Sequence, residues 1–301
     1  MRHQKKRWFA ASLVLCMLLS ILPSTSLAFS ESEETWSGNR RNQTIDGGTH
    51  TITLSNLTID SPGVEKSAID ITGNADVTFI LEGNNTLRGY RNHPAIWVES
   101  GSSVTFEGNG LLEASAGGAS IGLGAAGIGG GYGASSNFGN ITINGGTIIA
   151  QGSGGGAGIG GGYEVGSGTV TGNVTINGGY VTAIGGSSGS TGGAGIGSGE
   201  NANYSGTVTI NGGVVYAEGG ADSTSIGSGN RAIGTSDNGA FTTGTGGNAV
   251  IVAPDGIGDP SGFADWDGIF ISYEGSNTSA TVGEDGTVHL NDTEANIQVW
   301  G

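Results

Sequence analysis

Cysteine and basic residues are scarce in this sequence, and each shortage excludes a class of protein. Cys16 is the only cysteine among 301 residues; it lies in an apolar run near the amino terminus, so no disulfide framework stabilises the chain. Lys and Arg total 10 against 26 Asp and Glu, a formal net charge of −16, and neither occurs between Arg91 and Arg231. Because such a surface repels nucleic acid and anionic lipid, we expect neither as a partner.

The first 28 residues have the pattern of a secretory signal peptide. A basic start precedes an apolar run from Trp8 to Leu22, which is shorter than the roughly 20 residues that span a bilayer. The small residues Ser26 and Ala28 match a cleavage site. We therefore predict a signal peptide over residues 1–28, a secreted or extracellular cell-surface protein, and no membrane insertion after cleavage. Removing the four basic residues of this segment leaves six against 26 acidic ones, a formal charge of −20.

The 63 glycines belong to a repeat rather than to a disordered segment. Three copies of one phrase follow each other at steps of 33 and 34 residues: NITINGGTIIAQG from Asn140, NVTINGGYVTAIG from Asn173 and TVTINGGVVYAEG from Thr207. A second phrase, AGIGGGY, alternates with them and begins at Ala126 and Ala157. A fixed period of this length is typical of stacked structural units.

The earlier part of the chain carries the same unit with fewer glycines. SAIDITGNADVTFILEGNNTL from Ser67 aligns with PAIWVESGSSVTFEGNGLLEA from Pro94 at a spacing of 27 residues. Each unit contains three short β-branched segments separated by glycine or asparagine, which is a strand pattern. We therefore predict an all-β, single-stranded parallel β-helix of about 6–7 coils, in which equivalent segments stack about 4.8 Å apart.

The limits of the repeat predict the domain organisation. After the signal peptide we expect an N-terminal linker or cap over residues 29–49 and β-helix repeats over residues 50–253. A C-terminal β-rich segment should follow over residues 254–301, with a hairpin around Gly283 to Val288.

Strand alternation predicts which side chains fill the interior. In the VTI and VTF phrases the first and third residues should point inward, so the interior changes from aromatic to aliphatic along the chain: Val77, Phe79, Val104, Phe106, Ile141, Ile143, Val174, Ile176, Val208 and Ile210. The glycine pairs that follow, such as Gly178 and Gly179, permit a left-handed backbone at a corner. We expect aligned small residues at a tight corner as well: Ala150, Ala183 and Ala217. The asparagines before the glycines should form a hydrogen-bonded ladder: Asn144, Asn177 and Asn211.

These segments, and above all SAIDITGNADVTFILEGNNTLRG from Ser67, resemble the pectin-lyase-like right-handed parallel β-helices. In particular, residues 50–253 resemble the secreted or surface carbohydrate-binding β-helix proteins of Gram-positive bacteria. The resemblance implies a right-handed helix, a small C-terminal β cap, and polysaccharide of the cell-wall or plant type as a partner. Because this fold hosts lyases, hydrolases, binders and adhesins alike, activity has to be argued from the site.

Catalytic motifs are absent from the coils. By the same resemblance, a lyase would need an acidic Ca²⁺ site and a nearby basic residue. The acidic residues are instead scattered: Asp70, Asp76, Glu82, Glu99, Glu107 and Glu113. Glu99 with Glu107, or Asp70 with Asp76, could supply the two carboxyls of a glycosidase, but no pattern singles them out.

The glycine phrases also fail as nucleotide or calcium motifs. Gly156 opens a G-x-G-x-x-G match without the following helix or the Lys-Ser/Thr of a phosphate-binding loop. Gly160 and Gly197 stand where a calcium-binding repeat requires Asp. We therefore assign no catalytic residue, no cofactor and no metal, and the missing motifs argue against an enzyme.

Three groups of residues are candidates for ligand binding. The only basic cluster is RGYRNH, where Arg88 or Arg91 could meet a carboxylate while Tyr90 stacks on a sugar ring. Tyr132 and Tyr163 close successive AGIGGGY phrases and could form an aromatic platform one coil apart. Outward threonines should form a column on a flat face that could bind polysaccharide or ice: Thr78, Thr105, Thr142, Thr175 and Thr209. Each group also has a purely structural interpretation. The basic cluster could be a solvated loop, the two tyrosines could pack over glycine in their loops, and the threonines could be ordinary exposed strand residues.

Together these features predict a secreted monomer that binds polysaccharide without catalysis. The alternative is a structural or adhesive cell-surface protein whose coils only display loops. A Ca²⁺-dependent uronate polysaccharide lyase and an ice-binding protein are less favoured interpretations.

Overall fold

Three stacks of parallel strands form the framework of the chain. The computed structural model describes residues 34–60, 65–118, 123–133, 136–166, 168–230 and 249–258, together with the backbone of the strands at 238–243, 269–271, 280–282, 288–290 and 297–299. The predicted signal peptide over residues 1–28 lies outside the described residues. Within them there is no helix long and apolar enough to cross a bilayer.

The first stack contains the VTI and VTF phrases. Each strand pairs in parallel with its equivalent in the next coil. Its strands are β1 (Glu34–Asn39), β3 (Thr49–Asp60), β5 (Asp76–Glu82), β8 (Ser103–Gly108), β11 (Asn140–Ile143), β15 (Asn173–Ile176), β20 (Ala202–Ile210) and β23 (Asn238–Thr243). The short β14 (Gly168–Val170) also pairs with β20.

The second and third stacks complete each coil, again with parallel pairing. The second contains the end of β3 followed by β6 (Asn84–Arg88), β9 (Leu111–Ser115), β12 (Thr147–Gln151), β16 (Tyr180–Ile184), β21 (Val214–Glu218), β24 (Val250–Val252) and β25 (Ile269–Ile271). The third contains β2 (Gln43–Asp46), β4 (Ile69–Thr72), β7 (Ile96–Val98), β10 (Ile128–Gly129), β13 (Ile159–Gly160), β19 (Ile196–Gly197) and β22 (Ile226–Gly227).

The chain visits the three stacks in a fixed order and returns to each one coil later. For example, β4, β5 and β6 lead into β7, β8 and β9, each paired in parallel with its predecessor. The long parallel sheets curl round an axis. This all-β arrangement is compatible with the predicted parallel β-helix, because the repeat places equivalent segments side by side.

The predicted interior rows are confirmed. All ten inward residues of the VTI and VTF phrases are buried, and Phe79, Phe106, Ile143, Ile176 and Ile210 form one continuous row. The third stack contributes a row of buried isoleucines in register: Ile69, Ile96, Ile128, Ile159, Ile196 and Ile226. The AGIG phrases are therefore short core strands whose isoleucine packs inward.

The aligned alanines do not lie at a corner, and that prediction is wrong. Ala150, Ala183 and Ala217 occupy the fourth position of β12, β16 and β21, where they are buried and in register. Each strand continues one residue further, and a glycine such as Gly152 follows. The small alanine side chains therefore fit the crowded interior beside the second stack and are not required by a turn.

The corner between the first and second stacks has the predicted glycine and asparagine chemistry. The second glycine of each pair takes a positive φ, 81° at Gly146, 86° at Gly179 and 85° at Gly213. Asn177 Nδ2 donates to Asn144 Oδ1 at 2.8 Å, and Asn211 Nδ2 donates to Asn177 Oδ1 at 2.6 Å. The ladder is therefore confirmed.

We expect Asn177→Ala to lower the free energy of unfolding by about 1 kcal/mol, because it removes two ladder hydrogen bonds at an exposed corner. Urea denaturation followed by far-UV circular dichroism measures the change. Thr169→Ala, an exposed position in β14, is the control and should change it by less than about 0.5 kcal/mol. Equal effects of the two substitutions would contradict a stabilising ladder.

One buried aromatic pair was not predicted from the repeat. Phe138 and Tyr204 stack with ring centroids 6.3 Å apart and an interplanar angle of 7°. The Tyr204 hydroxyl donates to the Gly172 carbonyl at 2.9 Å, and burial raises the pKa of this phenol. Phe138 lies just before β11, and Tyr204 lies in the first half of β20, ahead of its VTI phrase. Both rings are outside the aligned phrases, so the repeat pattern contains no signal for them.

The strands near the carboxyl terminus differ from the coils in their pairing. β26 (Ala280–Val282) and β27 (Val288–Leu290) pair antiparallel, as the predicted hairpin requires. β28 (Ile297–Val299) runs antiparallel to β25. A second, two-residue ribbon joins β17 (Ser187–Ser188) to β18 (Thr191–Gly192).

Candidate functional site

A cavity of about 380 Å³ opens on the outer side of the third stack, where β4, β7 and β10 lie next to one another. Its volume is within the range of small-molecule sites. The residues around it come from three successive coils: Glu65, Arg91, Asn92, His93, Pro94, Trp97, Gly131 and Tyr132. We call it the Trp97 cavity.

Trp97 is the largest side chain that lines this cavity. It is the middle residue of β7, and because Ile96 and Val98 are buried on the inside, its side chain points outward. In register it lies between Asp70 and Gly129. Gly129 has no side chain, and its backbone lies close to that of Gly160 in the next coil. The indole Nε1–H is buried and has no hydrogen-bond partner among the described residues.

Tyr132 and Tyr163 are neighbours, as their positions in the repeat predict. Their ring centroids are 5.8 Å apart and their planes differ by 23°, so the rings stack. Asn201 Nδ2 donates to the Tyr163 hydroxyl at 2.8 Å. Tyr132 lines the Trp97 cavity, and the Tyr163 ring packs against the Tyr132 ring from the next coil. Glu200 ends the equivalent phrase of the following coil, AGIGSGE from Ala194, and is buried.

The polar side of the cavity comes from the turn that follows β6. The backbone N–H of His93 donates to the Tyr90 carbonyl at 2.8 Å, and Asn92 has a φ of 56°, which closes the turn. The Arg91 guanidinium carbon lies 5.7 Å from the centre of the Tyr90 ring. The turn therefore holds Arg91 at the cavity, and the Tyr90 ring packs against the Arg91 guanidinium.

Asp70 is a buried carboxyl next to Trp97 in the third stack. Burial raises its pKa, because desolvation disfavours the carboxylate; a hydrogen bond with Ser67 and the charges of Lys66 and His93 oppose the shift. Only 8% of the residue is exposed. Asp70 thus favours its neutral form more than an ordinary aspartate does.

The structure separates Arg88 from Arg91. Arg88 is the last residue of β6, is exposed, and lines a different cavity of about 590 Å³ on the second stack. The sequence predicted one basic cluster, but the strand ends between the two residues. Arg91 and Tyr132 are brought together at the Trp97 cavity.

The threonine column exists but belongs to the first stack. Thr142, Thr175 and Thr209 are half-buried, in register, and continuous with Thr78 and Thr105. The backbone register extends this column at both ends, to Thr51 and Thr242. The threonines therefore lie on other strands than the aromatic residues of the Trp97 cavity.

The carboxylates considered for catalysis have separate structural partners. Glu99 accepts a hydrogen bond from the Gly73 backbone N–H at 2.8 Å, and Glu107 accepts one from Asn144 Nδ2 at 3.1 Å. Asp76 accepts one from the Ser103 hydroxyl. In the part of the chain that the structure describes, no three of His, Cys, Asp and Glu come together as a metal site requires.

No family model, no curated protein and no solved structure matches this chain at a significant level.

Proposed function

We propose that this protein is a secreted, non-catalytic binder of polysaccharide and that the Trp97 cavity is its binding site. One observation carries the proposal. Trp97 and Tyr132, from two successive coils, line the same cavity as Arg91 and Asn92, and Tyr163 stacks behind Tyr132. Flat aromatic rings beside hydrogen-bonding side chains suit a sugar, which presents an apolar C–H face and polar hydroxyl edges.

Each part of the cavity has a role in this proposal. The Trp97 indole and the Tyr132 ring pack against the faces of sugar rings, and Glu65, Asn92 and Arg91 exchange hydrogen bonds with hydroxyls. Because the aromatic residues follow one another along the coils, a linear polymer of the cell-wall or plant type is the proposed partner.

The fold in this proposal is a right-handed parallel β-helix of the pectin-lyase type with a small C-terminal β cap. The strand order, the Asn-Gly corners and the inward isoleucine row support it. Export through the signal peptide places the binder outside the cell, as a monomer that is secreted or retained at the cell surface.

We expect purified protein to be retained by at least one polysaccharide in a panel of plant and microbial polymers, and Trp97→Ala to weaken that binding roughly 30-fold. Loss of a buried aromatic contact of this kind costs about 2 kcal/mol. Isothermal titration with the best polymer measures the affinity. Tyr180→Ala, a half-buried outward tyrosine of the second stack, is the matched control and should bind like wild type.

Other outcomes of this experiment favour other functions. Retention by no polymer would overturn the proposal. Attachment to cells or host protein that survives Tyr132→Ala combined with Tyr163→Ala would favour the structural or adhesive alternative. Release of unsaturated products that absorb ultraviolet light, from a pectic polymer with Ca²⁺, would instead establish a lyase.

A further inference from the structure

The asparagine ladder has a direction, and a carboxylate sets it. At its amino-terminal end, Asn144 Nδ2 donates to Glu107 Oε1 at 3.1 Å. Asn144 Oδ1 and Asn177 Oδ1 each accept from the amide of the following coil, at 2.8 Å and 2.6 Å. Because a carboxylate accepts hydrogen bonds and cannot donate them, Glu107 turns every Nδ2 toward itself and every Oδ1 toward the carboxyl-terminal end.

This direction leaves Asn211 less restrained than the other two ladder asparagines. The side-chain amides of Asn144 and Asn177 are hydrogen-bonded through both Nδ2 and Oδ1. Asn211 Nδ2 donates to Asn177, but Asn211 Oδ1 accepts no hydrogen bond from the residues that the structure describes. One ladder hydrogen bond therefore holds the Asn211 side chain, where two hold each of the others.

Each ladder asparagine precedes a glycine, the residue that least shields its own backbone nitrogen. Asparagine is thermolabile, because this nitrogen can attack the side-chain carbon Cγ. A new C–N bond forms, the Cγ–Nδ2 bond breaks, and the amide leaves as ammonia with the proton of the backbone N–H. Water then opens the cyclic imide at either carbonyl, which gives aspartate or isoaspartate. The net reaction converts an amide and water to a carboxylic acid and ammonia, and it adds one negative charge.

The attacking nitrogen is unengaged along the ladder but engaged at another Asn-Gly pair. Three half-buried glycines follow the ladder asparagines, and their N–H groups donate to no acceptor among the described residues: Gly145, Gly178 and Gly212. Asn109 is exposed and also precedes a glycine. Gly110, however, is buried, and its N–H donates to the Leu81 carbonyl at 3.0 Å. Asn109 therefore faces a nitrogen that must first lose a hydrogen bond.

We propose that Asn211 is a site of spontaneous deamidation and that the ladder is modified from this end, one coil at a time. The amide must leave the ladder before its Cγ is attacked, so each ladder hydrogen bond slows the reaction about fivefold. Once residue 211 carries a carboxylate, it presents an acceptor to Asn177 Oδ1 and their hydrogen bond is lost. Asn177 then retains one ladder bond and reacts next, and Asn144 reacts last. This modification is independent of saccharide binding.

The test is to age the purified protein in mildly alkaline buffer, which favours loss of the backbone proton, and to map its peptides by mass spectrometry at intervals. Asn177→Ala removes one ladder bond from Asn144 and one from Asn211. Glu107→Ala removes one from Asn144 alone. Thr169→Ala, an exposed position outside the ladder, is the matched control. A parallel wild-type sample in urea gives the rates of the unfolded chain.

In the folded wild type we expect Asn211 to react about fivefold faster than Asn144 or Asn177, and faster than Asn109. Molecules modified twice should carry the changes at residues 211 and 177. In urea the four positions should react alike, because neither the ladder nor the Gly110 hydrogen bond survives unfolding.

The variants separate the ladder from the local sequence. Asn177→Ala should speed modification of Asn144 and Asn211 about fivefold each, and Glu107→Ala should do so for Asn144 alone. Thr169→Ala should leave all rates unchanged. Equal rates at the three ladder positions of the folded wild type, or wild-type rates at Asn144 and Asn211 in Asn177→Ala, would overturn the inference. Neither result would affect the proposed polysaccharide binding.

Discussion

Replacing Gly160 with alanine should lower the free energy of unfolding by about 3 kcal/mol or more. Gly160 has a φ of 135°, a conformation that side-chain-bearing residues rarely adopt. An added Cβ would lie 1.9 Å from the carbonyl oxygen of Gly197 in the next coil. Because that oxygen belongs to the backbone of a paired strand, no side-chain movement relieves the clash.

The same geometry occurs along the whole glycine column of the third stack. Gly129, Gly160, Gly197 and Gly227 are in register, with φ between 127° and 138°. Urea denaturation measures the effect. Gly166→Ala is the control, because its φ of 97° is also positive but the added Cβ meets nothing within 4 Å. If Gly160→Ala cost no more than Gly166→Ala, close backbone stacking would not be the reason for glycine here.

Phe79→Ala is the second substitution with a large expected effect, a loss of about 3–5 kcal/mol. The ring is fully buried, and its centroid lies 6.3 Å from that of Trp36 and 5.9 Å from that of Phe106. Alanine would leave a cavity between aromatic residues of successive coils, and backbone pairing on both sides prevents its collapse.

Thermal and urea unfolding of Phe79→Ala should both shift strongly. Ile80→Ala, one residue along on the outer side of β5, is the control and should cost less than about 1 kcal/mol. Equal losses from the two variants would mean that the aromatic row contributes no more than an outer side chain.

Much of the fold could be predicted because the same sequence phrases recur in successive coils. The alternation in VTI fixes Val174 and Ile176 as interior residues, and the Asn-Gly-Gly phrase fixes the corner and its ladder. The alanines were misplaced because a small aligned residue suits a turn as well as a crowded interior. The position of the glycine that follows, such as Gly152 after β12, distinguishes an alanine inside a strand from one at a turn.

The candidate site was predicted in part. Tyr132, Tyr163 and Arg91 follow from the repeat and from the rarity of cations, and the structure places them at or next to one cavity. Trp97 was missed, although a tryptophan between two inward residues in AIWV marks an outward aromatic side chain. The separation of Arg88 from Arg91 depends on where β6 ends, and that end is set by pairing with β9, which local sequence does not specify.

The most direct test of polysaccharide binding at the Trp97 cavity is a crystal structure of the protein soaked with an oligosaccharide from its best polymer. We predict sugar density with one ring packed within about 4 Å of the Trp97 indole or the Tyr132 ring, and a polar contact to Arg91 or Asn92. A bound oligosaccharide on the threonine column or elsewhere, with no sugar at Trp97 and Tyr132, would contradict this account.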